Sequence, residues 1–322
     1  MKKALQFFLI SLLLWSCQTE KKSQPEFVHD ISEGPTPWTS SAFELEEDYF
    51  TFAIIADLAG GERPGVYSTA VRQLNRLDPT FVLSVGDLIE GGSHDSTILN
   101  QEWDSFEART AQLNMPFFHL GGNHDLTNLV MRDFWADRFG PRYYYFKYEN
   151  VLFLMLDSED FEDDRMMEID AARAEAMKVI RGEVEGEFED TAYAQMIESE
   201  AGGMRQEQID YFKEVLIANS DVRWTFVLMH KPLWKREGNK GLGQLEELLA
   251  TRPYTVINGH LHTMSHRIRN ERDYIMLGTT GGYQPKDSMA FDHVTLVRMD
   301  SVPVITHLKM EGILDETGKV PD

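Results

Sequence analysis

Cysteine is nearly absent: the chain of 322 residues has one, Cys17. That rules out internal disulfides and leaves no thiolate for a metal site in the folded body. Cations are scarce too, with 31 Lys and Arg against 53 Asp and Glu, a net charge of -22. Such a surface repels polyanions, which argues against binding a nucleic-acid backbone. A small phosphorylated substrate stays compatible, because bound metal ions reverse the local field. There are no internal repeats and no apolar run long enough to span a bilayer. What remains is 42% apolar and 11% aromatic, a globular composition with length for one or two domains.

The N-terminus reads as an export signal. Lys2 and Lys3 precede a short apolar stretch from Ala4 to Trp15, closed by Ser16-Cys17, too short for a membrane span. Leu14-Trp15-Ser16-Cys17 resembles the lipobox of bacterial lipoproteins, although Trp15 is unusual inside one. The resemblance implies a signal peptide over 1–17, lipidation of Cys17, and a location outside the cytoplasm, in the periplasm or at the cell surface. The membrane would then be met through that lipid alone. An ordinary secretory peptide cut nearby is the alternative. Residues 18–47 are polar and carry Pro25, Gly34, Pro35 and Pro37, which reads as a flexible tether. The folded domain is expected over 48–322.

Within that domain β-rich apolar runs alternate with segments of helical spacing. Tyr49–Ala56, Thr80–Val85, Pro116–Leu120, Val222–Met229 and Tyr254–Asn258 read as buried strands, and Tyr143–Asp157 as a hairpin turning at Glu149-Asn150. Helices are expected over Val66–Leu77, Gln101–Leu113, Gln206–Ala218 and Gly243–Ala250. This order indicates α/β layering. An acidic helical insertion over about 159–205 interrupts it. Its first 42 residues, 159–200, hold 15 acids and 4 bases, with helices expected around Met166–Arg181 and Thr191–Glu200. Both a solvated excursion and a lid over a site fit that pattern.

Five of the strands stop at polar, potentially metal-binding residues: Asp57, Gly86-Asp87, Gly122-Asn123-His124-Asp125, His230, and Gly259-His260-Leu261-His262. Each alone is a common turn or cap. Their order, tens of residues apart and always at strand ends, resembles that of the calcineurin-like metallophosphoesterases. The resemblance runs from about Tyr49 to Leu308. It implies a four-layer α/β/β/α sandwich with two mixed sheets, and metal-dependent hydrolysis of phosphate mono- or diesters. Two divalent ions are implied, and carboxylate, amide oxygen and imidazole suit Mn, Fe or Zn. By the same resemblance Asp87 bridges the metals, Asp57 and His262 complete one site, and Asn123, His230 and His260 hold the other. His124 is then the general acid and, with Asn123, a contact of the phosphate.

The chain departs from the family pattern in three places. The first motif, Asp57-Leu58-Ala59, has Ala where the family has a ligating His, which leaves that metal site weak or empty. Glu90 stands where the family has an Asp that orients the catalytic His, and is the candidate for that role. Gly91 replaces a phosphate-binding Arg. Arg63, in the Gly-rich run after Asp57, is the candidate substitute. The competing reading is a non-catalytic metal- or phosphate-binding protein on a decayed phosphoesterase scaffold, suggested by Ala59. The partner expected in either case is a small phosphorylated molecule.

Overall fold

The computed structural model describes residues 25–43, 49–236, 240–286 and 289–310. The signal segment with Cys17, and residues 18–24 and 44–47 of the expected tether, lie outside the described residues. Among the described residues no helix is long and apolar enough to cross a membrane.

In chain order the strands are β1 (Phe27–Val28), β2 (Phe50–Ile55), β3 (Phe81–Ser84), β4 (Phe117–Phe118), β5 (Tyr144–Tyr148), β6 (Val151–Met155), β7 (Trp224–Met229), β8 (Tyr254–Asn258), β9 (Ser265–Arg269), β10 (Arg272–Met276), β11 (His293–Met299) and β12 (Pro303–Lys309). The helices are α1 (Val66–Leu77), α2 (Ser96–Thr110), α3 (Asn123–Leu126), α4 (Leu129–Phe139), α5 (Asp163–Ile180), α6 (Gln206–Ala218) and α7 (Lys240–Leu249). One sheet has the order β1-β5-β6-β7-β8-β10-β9, the other β12-β11-β2-β3-β4. Both are mixed: β2, β3 and β4 run parallel, as do β6, β7 and β8, while outer strands pair antiparallel.

Three apolar clusters make the layers. Phe52, Phe81, Phe118, Phe146, Phe153 and Phe226 interlock between the sheets. Ala53, Ile55 and Val82 on the outer face of the smaller sheet pack against Val71, Trp103 and Trp135 of α1, α2 and α4. Leu152, Leu154 and Val227 on the outer face of the larger sheet pack against Phe212 and Leu245 of α6 and α7. Strands buried on both faces explain why β2, β3, β6 and β7 are continuous apolar runs, not alternating ones. The expected four-layer sandwich with two mixed sheets is the observed fold.

Some expectations fail. Residues 25–43 are not a free tether. β1 adds to the larger sheet beside β5, and Trp38 bridges to Phe118 at the β4 edge of the smaller one. Phe27, Trp38 and Phe43 cluster with Phe118, so the segment covers two sheet edges that would otherwise present unpaired N–H and C=O groups. The second insertion helix is also absent. Residues 191–200 hold only a short turn of 3-10 helix over Ile197–Ser199, and the Glu198 and Ser199 carbonyls are drawn off to Lys231 Nζ and His260 Nε2. The insertion is closed at its base by a bridge between Glu159 and Gly203. The hairpin at Glu149-Asn150 does form, both residues taking left-handed backbone, as a two-residue loop between twisted strands requires.

Candidate metal centre

Asp57 follows β2, Asp87 follows β3, and Asn123 with His124 open α3 after β4; His230 follows β7, and His260 and His262 follow β8. The C-terminal ends of these parallel strands meet across the sandwich, which is where open α/β sheets collect ligands. Asp57, Asp87, His260 and His262 all have positive φ, 51°, 58°, 81° and 52°. Non-glycine residues hold that conformation only where the surroundings enforce it, commonly at functional sites.

The donor atoms form two clusters, Asp87–His230–His260 and Asp57–Asp87–His262, each within 4.8 Å and sharing Asp87. Asn123 Oδ1 joins the first, 3.1 Å from His230 Nε2. Three imidazoles are oriented by backbone carbonyls, which can only accept. His230 Nδ1 donates to Val85 O at 2.9 Å, His260 Nε2 to Ser199 O at 2.9 Å, and His262 Nδ1 to the Tyr283 carbonyl. Each ring therefore has its other nitrogen left for the site, the usual arrangement behind a ligating histidine. Among the described residues His230 Nε2 meets only acceptors, Asn123 Oδ1 and Asp87 Oδ2 at 3.2 Å. Lone pairs facing lone pairs need a cation between them, a proton or a metal ion. Asp57 Oδ2 supports the second: among the described residues it is buried with no hydrogen-bond partner, a costly state unless an ion completes it. The residues present fit divalent metal.

Burial pushes His230 down, but the Asp87 carboxylate outweighs it and holds the ring at about 9. Burial likewise pushes Asp87 up, and His230 and then His124 carry it well below the carboxylate range. Burial drives His260 well down, with Lys231 and His230 adding to it, so this ring is neutral and ready to ligate. Asp125 does not ligate. It accepts from the backbone N–H of Leu88, Ile89 and Gly122, fixing the loop after β3 against the loop after β4. Burial, then Asp87, raise it to about 7.

A sequence model of the calcineurin-like phosphoesterase family matches residues 50–264, well over half of the chain. The chain belongs to the calcineurin-like phosphoesterases. It is thus a metal-dependent phosphoesterase. Solved structures agree on the fold. A dimetal phosphatase from Danio rerio superposes with a TM-score of 0.56 at 15% identity, covering 82% of this chain and 97% of that one. Purple acid phosphatase PPD1 from yellow lupin (Lupinus luteus) gives a TM-score of 0.51 at 13% identity, with 86% of this chain matched to 53% of the lupin one. No curated protein matches the chain.

Against the family pattern, the structure brings all seven motif residues together and corrects two assignments. Glu90 does not orient His124 through its carboxylate, which instead accepts from the backbone N–H of Gly61 and Glu62. It is the Glu90 backbone carbonyl that receives His124 Nδ1–H, at 2.6 Å. Arg63 does not reach the site either. It pairs with Asp292 at 2.6 Å and donates to the Gly282 carbonyl, pinning the loop after β2 to the segment between β10 and β11. Ala59 is buried and its N–H donates to the Asp87 carbonyl, so it supplies no ligand.

One residue escaped the sequence reading. Arg173, from α5 in the insertion, brings Nη2 to 3.2 Å from His124 Nε2. The available signal was its register. Met166, Ile169, Arg173 and Ala176 are the buried positions of α5, so Arg173 is a cation within an apolar stripe. The insertion is also fastened at the centre through Lys231, whose ammonium is buried with Glu159 at 3.0 Å and donates to the Glu198 carbonyl at 2.8 Å.

Proposed function

We propose that this phosphoesterase hydrolyses phosphate mono- or diesters outside the cytoplasm, anchored by lipid at Cys17, with His124 as general acid. The observation that carries the catalytic reading is the pair of acid–imidazole clusters sharing Asp87, one containing the unpartnered Asp57 Oδ2. Asn123, His230, His260 and Asp87 would hold one divalent ion, and Asp57, Asp87 and His262 the other, with Mn, Fe or Zn suited to these donors. Bound there, such ions supply an activated water and neutralise charge on the phosphoryl oxygens.

The chain's own residues arrange the rest. His124 Nδ1–H is committed to the Glu90 carbonyl, so Nε2 is the atom that exchanges a proton with the leaving oxygen. Burial pushes this ring down, Asp87 pulls it up and Arg173 pushes it down, for a net lowering. An arriving phosphoryl anion offsets the push from Arg173 and favours the protonated ring that an acid needs. The His124 backbone N–H donates to Asp87 Oδ1 at 2.9 Å, tying the acid's position to the shared carboxylate.

The test is hydrolysis of aryl phosphate mono- and diesters by the Mn-loaded chain. Wild type is expected to turn over, and Asp87→Ala and His124→Ala to lose about 100-fold or more. Metal bound stoichiometrically with no turnover on any ester would instead favour a binding protein. The anchor is tested separately, by the loss of membrane association in Cys17→Ala of the full chain; unchanged association would refute it.

A further inference from the structure

Arg173 is more than nine-tenths buried, and among the described residues no carboxylate lies within ion-pair distance of it. Its Nη2 faces the His124 ring, 3.2 Å from Nε2 and 3.4 Å from Nδ1. Since Nδ1 donates to Glu90, the ring offers one lone pair, at Nε2, to a guanidinium with five N–H donors. A buried charge so poorly satisfied is costly and calls for an anion. Packing does not explain it, because an apolar side chain would suit the buried stripe of α5 better. Gly92 lies against the guanidinium, where a Cβ would stand 2.6 Å from Arg173 Nη1, although its φ of 69° favours glycine there in any case.

Next to this pair lies a cavity of about 250 Å3, lined by His124, by Arg173 and Lys178 of α5 and by the exposed Arg181 just past its end, Lys178 pairing with Glu175 at 2.6 Å. Its acids are Glu90, Asp170 and Glu183. The Glu90 carboxylate is occupied by the Gly61 and Glu62 amides, Asp170 pairs with His94 at 2.9 Å, and Glu183 is exposed. The volume is below the roughly 300–1,000 Å3 of sites for drug-sized ligands, so it suits a small ester group.

We propose that Arg173 binds the phosphoryl group of the substrate and selects small dianionic phosphomonoesters over phosphodiesters. The proposal rests on the phosphoesterase reading above. A phosphomonoester brings three non-bridging oxygens and nearly two charges at neutral pH. A diester brings one charge and places an ester arm where a further oxygen would accept from the guanidinium. Planar, bidentate pairing with phosphate oxygens is what an arginine offers and a lysine does not.

The experiment compares Mn-loaded wild type, Arg173→Met and Arg173→Lys on an aryl phosphomonoester and its matched diester, with inorganic phosphate as inhibitor. Arg173→Met is expected to raise the monoester KM and the phosphate Ki by about 10–100-fold, the scale of a charge-assisted hydrogen bond. The diester kcat/KM should move less than about threefold, and Arg173→Lys should recover part of the monoester loss. Unchanged phosphate Ki, or an equal loss on both esters as a purely structural role would give, overturns the proposal. If wild type hydrolyses neither ester, the functional reading fails by itself. Calorimetric titration of inorganic phosphate into the Mn-loaded chains then decides: weaker binding in Arg173→Met sustains the proposal, and equal binding ends it.

Discussion

Gly122 precedes Asn123 and faces the centre of the metal site, and Gly122→Ala tests how tightly that centre is built. The backbone there is extended, φ -110° and ψ -171°, so alanine meets no conformational penalty and the effect is steric alone. A Cβ at this position would stand 2.2 Å from Asp87 Oδ1, 2.6 Å from Asp87 N and 2.8 Å from His230 Cγ. Comfortable separations are about 3.5 Å, so the shared carboxylate, the imidazole or the loop itself has to yield by roughly 1 Å. Overpacking of this kind costs about 1–3 kcal/mol of stability, which a domain with these cores survives. Function has less latitude, since a misplacement of about 1 Å commonly costs about 100-fold in rate. The assay is metal per chain after dialysis, measured beside ester hydrolysis, with circular dichroism to establish that the variant is folded. The expected outcome is a folded protein with weakened metal retention and about 100-fold lower kcat/KM. Gly243→Ala is the control, because among the described residues a Cβ there meets nothing within 4 Å. Wild-type metal affinity and turnover in Gly122→Ala would refute the argument that Asp87 and His230 are held rigidly against this glycine.

Two further outcomes follow from the same contacts. Glu90→Gln keeps an oxygen for the Gly61 and Glu62 N–H groups and leaves the Glu90 carbonyl on His124, so kcat should stay within about threefold; a hundredfold drop with an altered pH profile would return the carboxylate to an orienting role. His119 is buried, with Nδ1 3.2 Å from the Pro37 carbonyl, and burial pushes it from 6.5 to about 4. The unfolded chain therefore binds the proton first, and stability falls as pH drops from about 6.5 towards 4, by about 2 kcal/mol between pH 7 and 5. Urea denaturation at the two pH values measures it, and a pH-independent midpoint in that window would contradict it.

The core of the fold was legible because its strands are buried on both faces. Continuous runs such as Phe50–Ile55 and Phe81–Ser84 cannot be mistaken for surface, and each ends at a residue of the site. Elements whose apolar content is interrupted were missed. β9 is Ser-His-Arg-Ile-Arg, an exposed edge strand defined by its pairing with β10 and not by its side chains. α4 carries Arg132 among its buried residues, its guanidinium donating to the Phe161 carbonyl, so its pattern has no clean apolar face. β1 and Trp38 lie in a Pro- and Gly-containing stretch whose role, covering two sheet edges, depends on strands more than 70 residues away.

The site divides along the same line. The residues that gather into the two clusters were readable because each occupies a strand end in fixed order. The directions of Glu90, Arg63 and Arg173 were not, because they are set by long-range contacts: the Gly61 and Glu62 amides, Asp292 with the Gly282 carbonyl, and the His124 ring. Spacing along the chain carries no record of those partners. An arginine in the apolar register of α5 was the one local trace.

The most direct test of the account is stepwise metal titration. A metal-stripped chain receives Mn in increments while aryl phosphate hydrolysis and bound metal are followed together. Two clusters sharing Asp87 predict no turnover without metal, little at one ion per chain, and a plateau reached as the second ion binds. Full turnover at one ion per chain, or none at saturation, would contradict a two-metal centre built on Asp87.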